Sequence, residues 1–367
     1  MNVLLFSMSG CNGSDRAALA VKEEGKAYGM KIKVVDPLKE YVPGAHQFLK
    51  KRTLLKENSS KIAGYIEKYL EAWARYLFKK MYPWLDKVSR KADLFVSIHP
   101  LYTYLLALYK SERKSSIPLY GVNANFTLER MHDVKGVNAI ITPFPFAEAG
   151  SNTSAPVVPL GMPVMSADSI KNTKEGARTE FSLSSDKKII TIVEGEEGIS
   201  YSRMWKQLSK VPVPCTFLLL TARSSKAASF YFKTSHSGHD IRIVPHTTKY
   251  YEYLLTSDIV IGRGDAVTSS EALSLKIPFI CLPSRKDVEK ENPLLLQERN
   301  AALATENYKE VKERASDLLL NPFLYQRMQK SGYEFIKDSA APSIVRYLFR
   351  EGVRGQRRKL PPYLTLI

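Results

Sequence analysis

Cysteine is scarce in this chain. Cys11, Cys215 and Cys281 are the three among 367 residues, and they lie far apart. Their separation excludes a metal-type pairing. An odd, sparse set excludes a disulfide framework and fits a reducing compartment. Long apolar runs are missing too, since no stretch reaches the roughly 18–20 residues of a bilayer-spanning helix. The opening MNVLLFSMSG has no basic n-region and no small-residue cleavage site. It reads as a first strand rather than a signal peptide, and the expectation is a soluble, cytoplasmic protein. Aspartate-rich metal motifs, zinc-finger spacings, a basic zipper and RNA-recognition aromatics are absent, so no metal, no cofactor and no nucleic acid is expected. Acidic residues are in deficit, 37 Asp+Glu against 54 Lys+Arg, for a net charge of +17. Such an excess attracts acidic lipid or polyphosphate ligands. It is concentrated between Lys39 and Lys91, with 13 basic against 5 acidic residues, and again from Arg346 to Lys359.

What is present is a repeated alternation of strands and helices. Val3–Ser7, Lys31–Val35, Leu94–Ile98, Leu119–Val122 and Ala139–Thr142 read as short buried strands. Helices are expected over Asp15–Gly29, over residues 60–80, and through Tyr102–Tyr109. In the second of these, Ile62, Tyr65, Ile66, Tyr69, Leu70, Trp73, Tyr76 and Leu77 repeat at three and four. Ala155–Pro163 holds three prolines and a glycine and reads as a connector. The rhythm restarts at Lys188–Val193 and continues through Thr216–Leu220, Ile241–Val244, Ile259–Ile261 and Phe279–Leu282. A helix from Thr268 to Leu275 and further helices at about 308–320, 322–336 and 343–351 complete the pattern. The expectation is α/β: two Rossmann-like domains facing across a cleft. Their bounds are 1–155 for the N-terminal domain, 156–169 for the linker and 170–338 for the C-terminal domain. A helix and basic tail at 339–367 could pack back on the first domain.

Three glycine-bearing turns follow strands, at 9–14, 194–200 and 262–268. A glycine turn that opens a helix aims backbone N–H groups at one spot, with the positive end of the helix dipole behind them. The sharpest is DIVIGRGDAVTSSEA at 258–272, where Gly262 and Gly264 precede Asp265, Thr268 and Ser269. Glu271 lies one to two turns into the helix, where it can reach a sugar hydroxyl. These residues point to a phosphorylated, nucleotide-like ligand. An exposed helix glutamate is the plain alternative for Glu271.

The segment Asp258–Pro283 resembles the donor site of glycosyltransferases with the B-type two-domain fold. The likeness is to the branch of the diacylglycerol galactosyl- and glucosyltransferases and the lipid-linked N-acetylglucosaminyltransferase of peptidoglycan synthesis. Ser7–Ala18, Val34–Leu38, Asp93–Pro100, Val158–Val164 and Glu289–Asn292 agree with it in order and spacing. The resemblance implies that Gly195, Gly198 and Ser200, with the helix start at Asp265–Ser269, hold a diphosphate. It implies that Glu271 takes ribose hydroxyls, that Arg223 lies beside the nucleotide, and that Glu289 and Asn292 read the sugar. Gly10, Gly13, Asn123 and His132 fall on the acceptor side.

The departures from the family are as informative. The first loop lacks the family's histidine, and Ser14 and Asp15 occupy that region. Asp15 is a candidate base and equally an ordinary first-turn acid. His99, at a strand end, is the other candidate base, or else a residue that structures the turn before Pro100. Asn123-Ala124-Asn125 replaces a threonine–aspartate pair. The helix at 60–80 with its basic flanks fits either an interfacial helix on an anionic membrane or a stripe packed on its own domain.

The resulting expectation is a metal-independent, inverting transferase that moves a sugar, from a UDP-sugar, to a hydroxyl of a membrane lipid. It would be cytoplasmic and peripheral on the membrane's inner face. A UDP-sugar epimerase of the same fold, and a catalytically silent nucleotide-sugar-binding subunit that needs a partner, stand beside it.

Overall fold

The computed structural model of the chain describes residues 1–10, 12–52, 60–144, 153–165, 167–195, 198–222, 238–283, 291–336 and 340–357. It divides into two units, Met1–Met165 with Ser339–Ile367, and Ser166–Asp338. The first begins with β1 (Asn2–Phe6), α1 (Asn12–Lys26), β2 (Lys31–Val35), α2 (Pro37–Tyr41), α3 (Pro43–Arg52) and α4 (Ser60–Ser89). It continues with β3 (Leu94–Ser97), α5 (Pro100–Arg113), β4 (Leu119–Val122), β5 (Ala139–Thr142) and β6 (Val157–Pro159). The second contains α6 (Lys174–Glu180), β7 (Lys188–Val193), α7 (Tyr201–Leu208), β8 (Cys215–Leu220), β9 (Asp240–Val244), α8 (Tyr250–Leu255) and β10 (Ile259–Arg263). After these come α9 (Ala266–Ser274), β11 (Phe279–Leu282), α10 (Asn292–Glu298), β12 (Ala302–Ala304), α11 (Glu310–Leu320) and α12 (Pro322–Ile336). The final helix, α13 (Ala341–Arg357), returns to the first unit.

Each unit is a parallel sheet. The first runs β2-β1-β3-β4-β5-β6 and the second β12-β11-β10-β7-β8-β9. Both orders reverse once, between β1 and β3 and between β7 and β10. In such doubly wound sheets the crevice for ligands opens at the carboxyl ends of the two strands flanking that reversal. The strands read as unbroken apolar runs because helices cover both faces, and Leu94–Val96, Ile140–Ile141, Phe217–Leu218 and Ile259–Ile261 are fully buried.

Several elements differ from the sequence expectation. The helix at 60–80 extends to Ser89 and passes through Pro83. Its apolar spacing continues through buried Leu77, Met81 and Leu85, while Pro83 faces solvent. Of the stripe read at 60–80, the side chains before Ala72 lie outside the described residues. Ala74 and Leu77 pack in the core with Phe6, Phe95 and Leu105, and Trp73 packs against it, so this part of the stripe belongs to its own unit. Val157–Pro159, within the proline-rich connector, pairs with β5 as an edge strand. An edge position tolerates Pro159, because one side of the strand needs no ladder partner. α13 lays Ile344, Val345 and Leu348 against Ala17, Ala18 and Val21 of α1.

Asp258, just before β10, is the main electrostatic tie of the second unit. Its carboxylate accepts from Lys174 Nζ at 2.8 Å, Arg178 Nη2 at 2.8 Å and Ile189 N at 2.7 Å. Burial alone would raise its pKa, but the Lys174 and Arg178 charges and the Ile189 N–H together hold it below 3.8. Its contribution is therefore complete at neutral pH and is lost as pH falls through the depressed folded-state value, below 3.8. Asp258→Asn should cost about 3 kcal/mol at pH 7, since it leaves two cations without their buried anion. In urea unfolding followed by circular dichroism, the gap between the two proteins should shrink as pH falls below 4. An unchanged gap at low pH would remove this assignment.

Candidate functional site

The reversal of the second sheet brings the loop after β7 beside the loop after β10, because the two strands pair in parallel, Ile259 with Ile190 and Ile261 with Ile192. Two helices start there. Asp265 caps α9, its carboxylate accepting from Thr268 N at 2.8 Å. Ser269 N donates to Asp265 O at 3.1 Å. The N–H groups of Ala266 and Val267 are then the first-turn donors that no i−4 carbonyl can pair, and they face the loop end with the dipole behind them. Ser200 begins α7, and its own N–H is taken by the Tyr308 hydroxyl at 3.0 Å. Gly198 bends the intervening loop at φ +68°, a conformation that costs glycine little.

Arg263 holds this arrangement together, a role that the sequence reading missed. It is the last residue of β10 and is 5% exposed. Its Nη2 donates to Gly198 O at 3.1 Å and its Nη1 to Pro283 O. The loops after β7 and β11 are thereby tied to the end of β10 by one guanidinium. Glu194 adds a second tie, accepting from Ala222 N at 3.0 Å across to the loop after β8. The one available signal was an arginine between two glycines at a strand end, where a charged side chain has no ordinary reason to be buried.

The structure changes the roles read for several residues. Gly262 lies inside β10 and not in the turn; a Cβ there would come within 3.2 Å of the Phe279 ring, so its small size serves packing. Ser269 turns its hydroxyl back to Asp265 O at 2.7 Å, and Ser270 does the same to Ala266 O at 2.6 Å, so these hydroxyls face the helix. Glu271 is fully buried and not an exposed helix glutamate; its two oxygens accept from the Tyr251 hydroxyl at 2.8 Å and the Tyr250 hydroxyl at 3.1 Å. Asn292 is also buried and donates to Gly264 O at 2.9 Å, fixing the turn from α10. Arg223 and Glu289 lie outside the described residues, as do Glu196 and Glu197 of the glycine loop.

In the first unit, the residues assigned to catalysis and to the acceptor side are also engaged. Gly10 takes φ +84°, and its N–H donates to Asp15 Oδ2 at 2.8 Å, so Asp15 acts as a first-turn acid that closes the loop. Gly13 and Ser14 fall in the first turn of α1. His99 caps α5, its Nδ1 accepting from Leu101 N at 3.3 Å. That bond places the ring proton on Nε2 and covers the basic nitrogen, which counts against His99 as a base. Asn123 donates to Asn125 O and Thr127 O and accepts from Glu129 N, so its buried amide shapes the turn after β4. His132 is fully buried beside Thr103 Oγ1 at 2.8 Å. Burial above all, with His99 nearby, pushes its pKa down to about 3, so it stays neutral.

Gly264 offers a sharp check of the turn. A Cβ on it would sit 2.6 Å from Pro293 Cγ and 2.9 Å from Cδ, a ring that cannot swing aside. Gly264→Ala should destabilise the chain by about 1–3 kcal/mol, as overpacked sites do. It should also shift α10 away from the turn. A variant that melts with the parent would show the contact to be soft.

Residues 202–342 match the glycosyltransferase family 28 C-terminal domain. A processive diacylglycerol beta-glucosyltransferase of Bacillus licheniformis is 22% identical over 67% of this chain and 66% of its own length. Among solved structures, Acinetobacter baumannii MurG superposes with a TM-score of 0.60 at 16% identity, covering 95% of this chain and 99% of that one. The UDP-GlcNAc 2-epimerase of Neisseria meningitidis, bound to UDP-GlcNAc, gives 0.61 at 18% identity, covering 95% and 100%. The chain thus has the two-domain α/β fold of the B-type glycosyltransferases, matches the family 28 C-terminal domain over residues 202–342, and resembles the diacylglycerol glucosyltransferase and MurG branch.

Proposed function

We propose that this chain is a glycosyltransferase that takes a sugar from a UDP-sugar, bound at the β7–β10 reversal, and moves it to a hydroxyl of a membrane lipid. The observation that carries the reading is the α9 start: a capped helix whose free first-turn N–H groups meet a glycine turn braced by a buried arginine. Those groups suit a leaving diphosphate, whose charge grows as the glycosidic bond breaks. The resemblance gives the ribose diol to Glu271, although in this structure both of its oxygens accept tyrosine hydroxyls. The relatives' diacylglycerol substrate and the basic first unit support a lipid acceptor. Tyr41, Phe48 and Tyr76 on α2, α3 and α4 are exposed, and Lys80 stands over the Tyr76 ring, as suits contact with an anionic membrane. Displacement occurs in one step, with inversion and without a metal.

The epimerase likeness keeps one other reading in view. It predicts an epimerised sugar with no requirement for an acceptor, whereas the transferase predicts UDP release that depends on lipid.

The first test is thermal unfolding with UDP, GDP, ADP, CMP and several nucleotide sugars. UDP at about a hundred times its dissociation constant should add about 2.7 kcal/mol, a readily visible rise. Asp265→Ala should lower the unliganded stability by about 1 kcal/mol through loss of the cap and reduce the UDP shift. If no nucleotide stabilises the protein, the transferase reading is lost.

A further inference from the structure

Glu271 is placed for a ligand and already occupied. It is the sixth residue of α9, and it is fully buried. The rise from Val267, whose N–H belongs to the first turn, is about 6 Å, the reach of a ribose from its phosphate to its secondary hydroxyls. Side chains on a helix lean toward its N-terminus, so the carboxylate is turned to the phosphate end. Yet Oε1 accepts from the Tyr251 hydroxyl at 2.8 Å and Oε2 from the Tyr250 hydroxyl at 3.1 Å. A ribose hydroxyl on this carboxylate would need the donor position that one of these phenols fills.

The two tyrosines are not equivalent. Tyr251 is buried, at 6% exposure, and makes the shorter bond. Tyr250 is half-buried and is the first residue of α8, directly after the loop that follows β9. It therefore stands at the carboxyl end of the sheet, where ligands gather. The two rings meet edge-on, with centroids 5.4 Å apart at 85°. The helix that carries them is pinned to α6. Tyr253 stacks on Phe181 at 3.8 Å, and Lys249 pairs with Glu180. With α8 held in this way, rotation of the Tyr250 side chain opens Oε2 without moving the backbone.

We propose that Tyr250 is a specificity-determining residue of the nucleotide site. In the free protein its hydroxyl stands in for a ribose hydroxyl on Glu271 Oε2, and a bound ribonucleotide takes its place while Tyr251 keeps the carboxylate aimed. This rests on the UDP-sugar reading above. The exchange conserves hydrogen bonds, since one phenol leaves for water and one ribose hydroxyl arrives. A buried carboxylate oxygen left bare would be costly. A nucleotide without the secondary hydroxyls cannot make the exchange. It either leaves Tyr250 in place and forgoes the contact, or strands Oε2. Discrimination against deoxynucleotides follows, because a site built around a hydroxyl rejects the analogue that lacks it. The same competition weakens the right ligand as well, in exchange for a carboxylate that is never left bare.

The test titrates the full chain by calorimetry with UDP and with 2′,3′-dideoxy-UDP. The parent should prefer UDP. Tyr250→Phe should tighten UDP about 3- to 10-fold, the range of one net hydrogen bond, and leave dideoxy-UDP unchanged. Tyr251→Phe should lower the melting temperature without tightening UDP. If Tyr250 is only a structural brace, Tyr250→Phe will bind UDP no better than the parent. That result overturns the proposal, as does an equal gain for both nucleotides or an equal gain from Tyr251→Phe. Fluorine spectra follow the exchange with the hydroxyl kept. A ring-fluorinated tyrosine in place of Tyr250 should move its signal further with UDP than with dideoxy-UDP, and a shift no larger with UDP also overturns the proposal. If the parent binds both nucleotides equally, the ribose hydroxyls are not read, and the proposal falls while the donor reading stands. If the parent binds neither, the donor reading fails and takes the proposal with it.

Discussion

One buried guanidinium organises the C-terminal site. Arg263 reaches sideways from the end of β10 to carbonyls in the loops that follow β7 and β11. Loops of this kind carry few contacts of their own, and a charged donor that satisfies their carbonyls in a dry place is worth more than a neutral one. The same side chain is a fixed positive charge beside the start of α9. The shape of these loops and a fixed charge beside them therefore depend together on one residue. Removing it would leave buried acceptors unpaired as well as a cavity.

The first unit uses a comparable device with the signs exchanged. There an anion, Asp36, gathers donors from the β1 loop, from α2, from α5 and from His46 on α3. Four pieces of chain separated in sequence meet on two oxygens. In both units the loops at the sheet reversal are set by a buried charge whose partners come from neighbouring strands and helices. The glycines supply the permitted backbone shapes, and the charge selects one of them.

This division explains how much was legible in the sequence. Strands such as Lys188–Val193 and Leu119–Val122 stood out because a sheet covered on both faces demands continuous apolar runs. The Gly264–Asp265 turn stood out because a capped helix after a strand has a local signature. Helices α2 and α3 did not, since two prolines, a glycine and a short amphipathic stretch over residues 37–52 look like loop until Asp36 caps the first of them. The long-range partners were equally hidden. Glu271 appeared as a helix residue with a free carboxylate, and the adjacent tyrosines 250 and 251 gave no sign that both hydroxyls would meet it. Ser269 was read by its hydroxyl, whereas local geometry turned that hydroxyl onto the helix. Periodicity and turn chemistry reveal the backbone; which side chains meet across it depends on the finished topology.

The return of α13 to the first unit has a consequence for how the protein is made. Ile344, Val345 and Leu348 complete a core begun by Val3, Leu5 and Ala17, and Gly352 lies against the Met1 side chain. Ser166–Asp338 is then, in effect, an insertion between two parts of another folding unit. During synthesis the inserted unit is finished and free to fold while the first still waits for its last helix. The α1 face that α13 will cover is exposed throughout that interval, an apolar surface on a nascent chain that a chaperone could recognise.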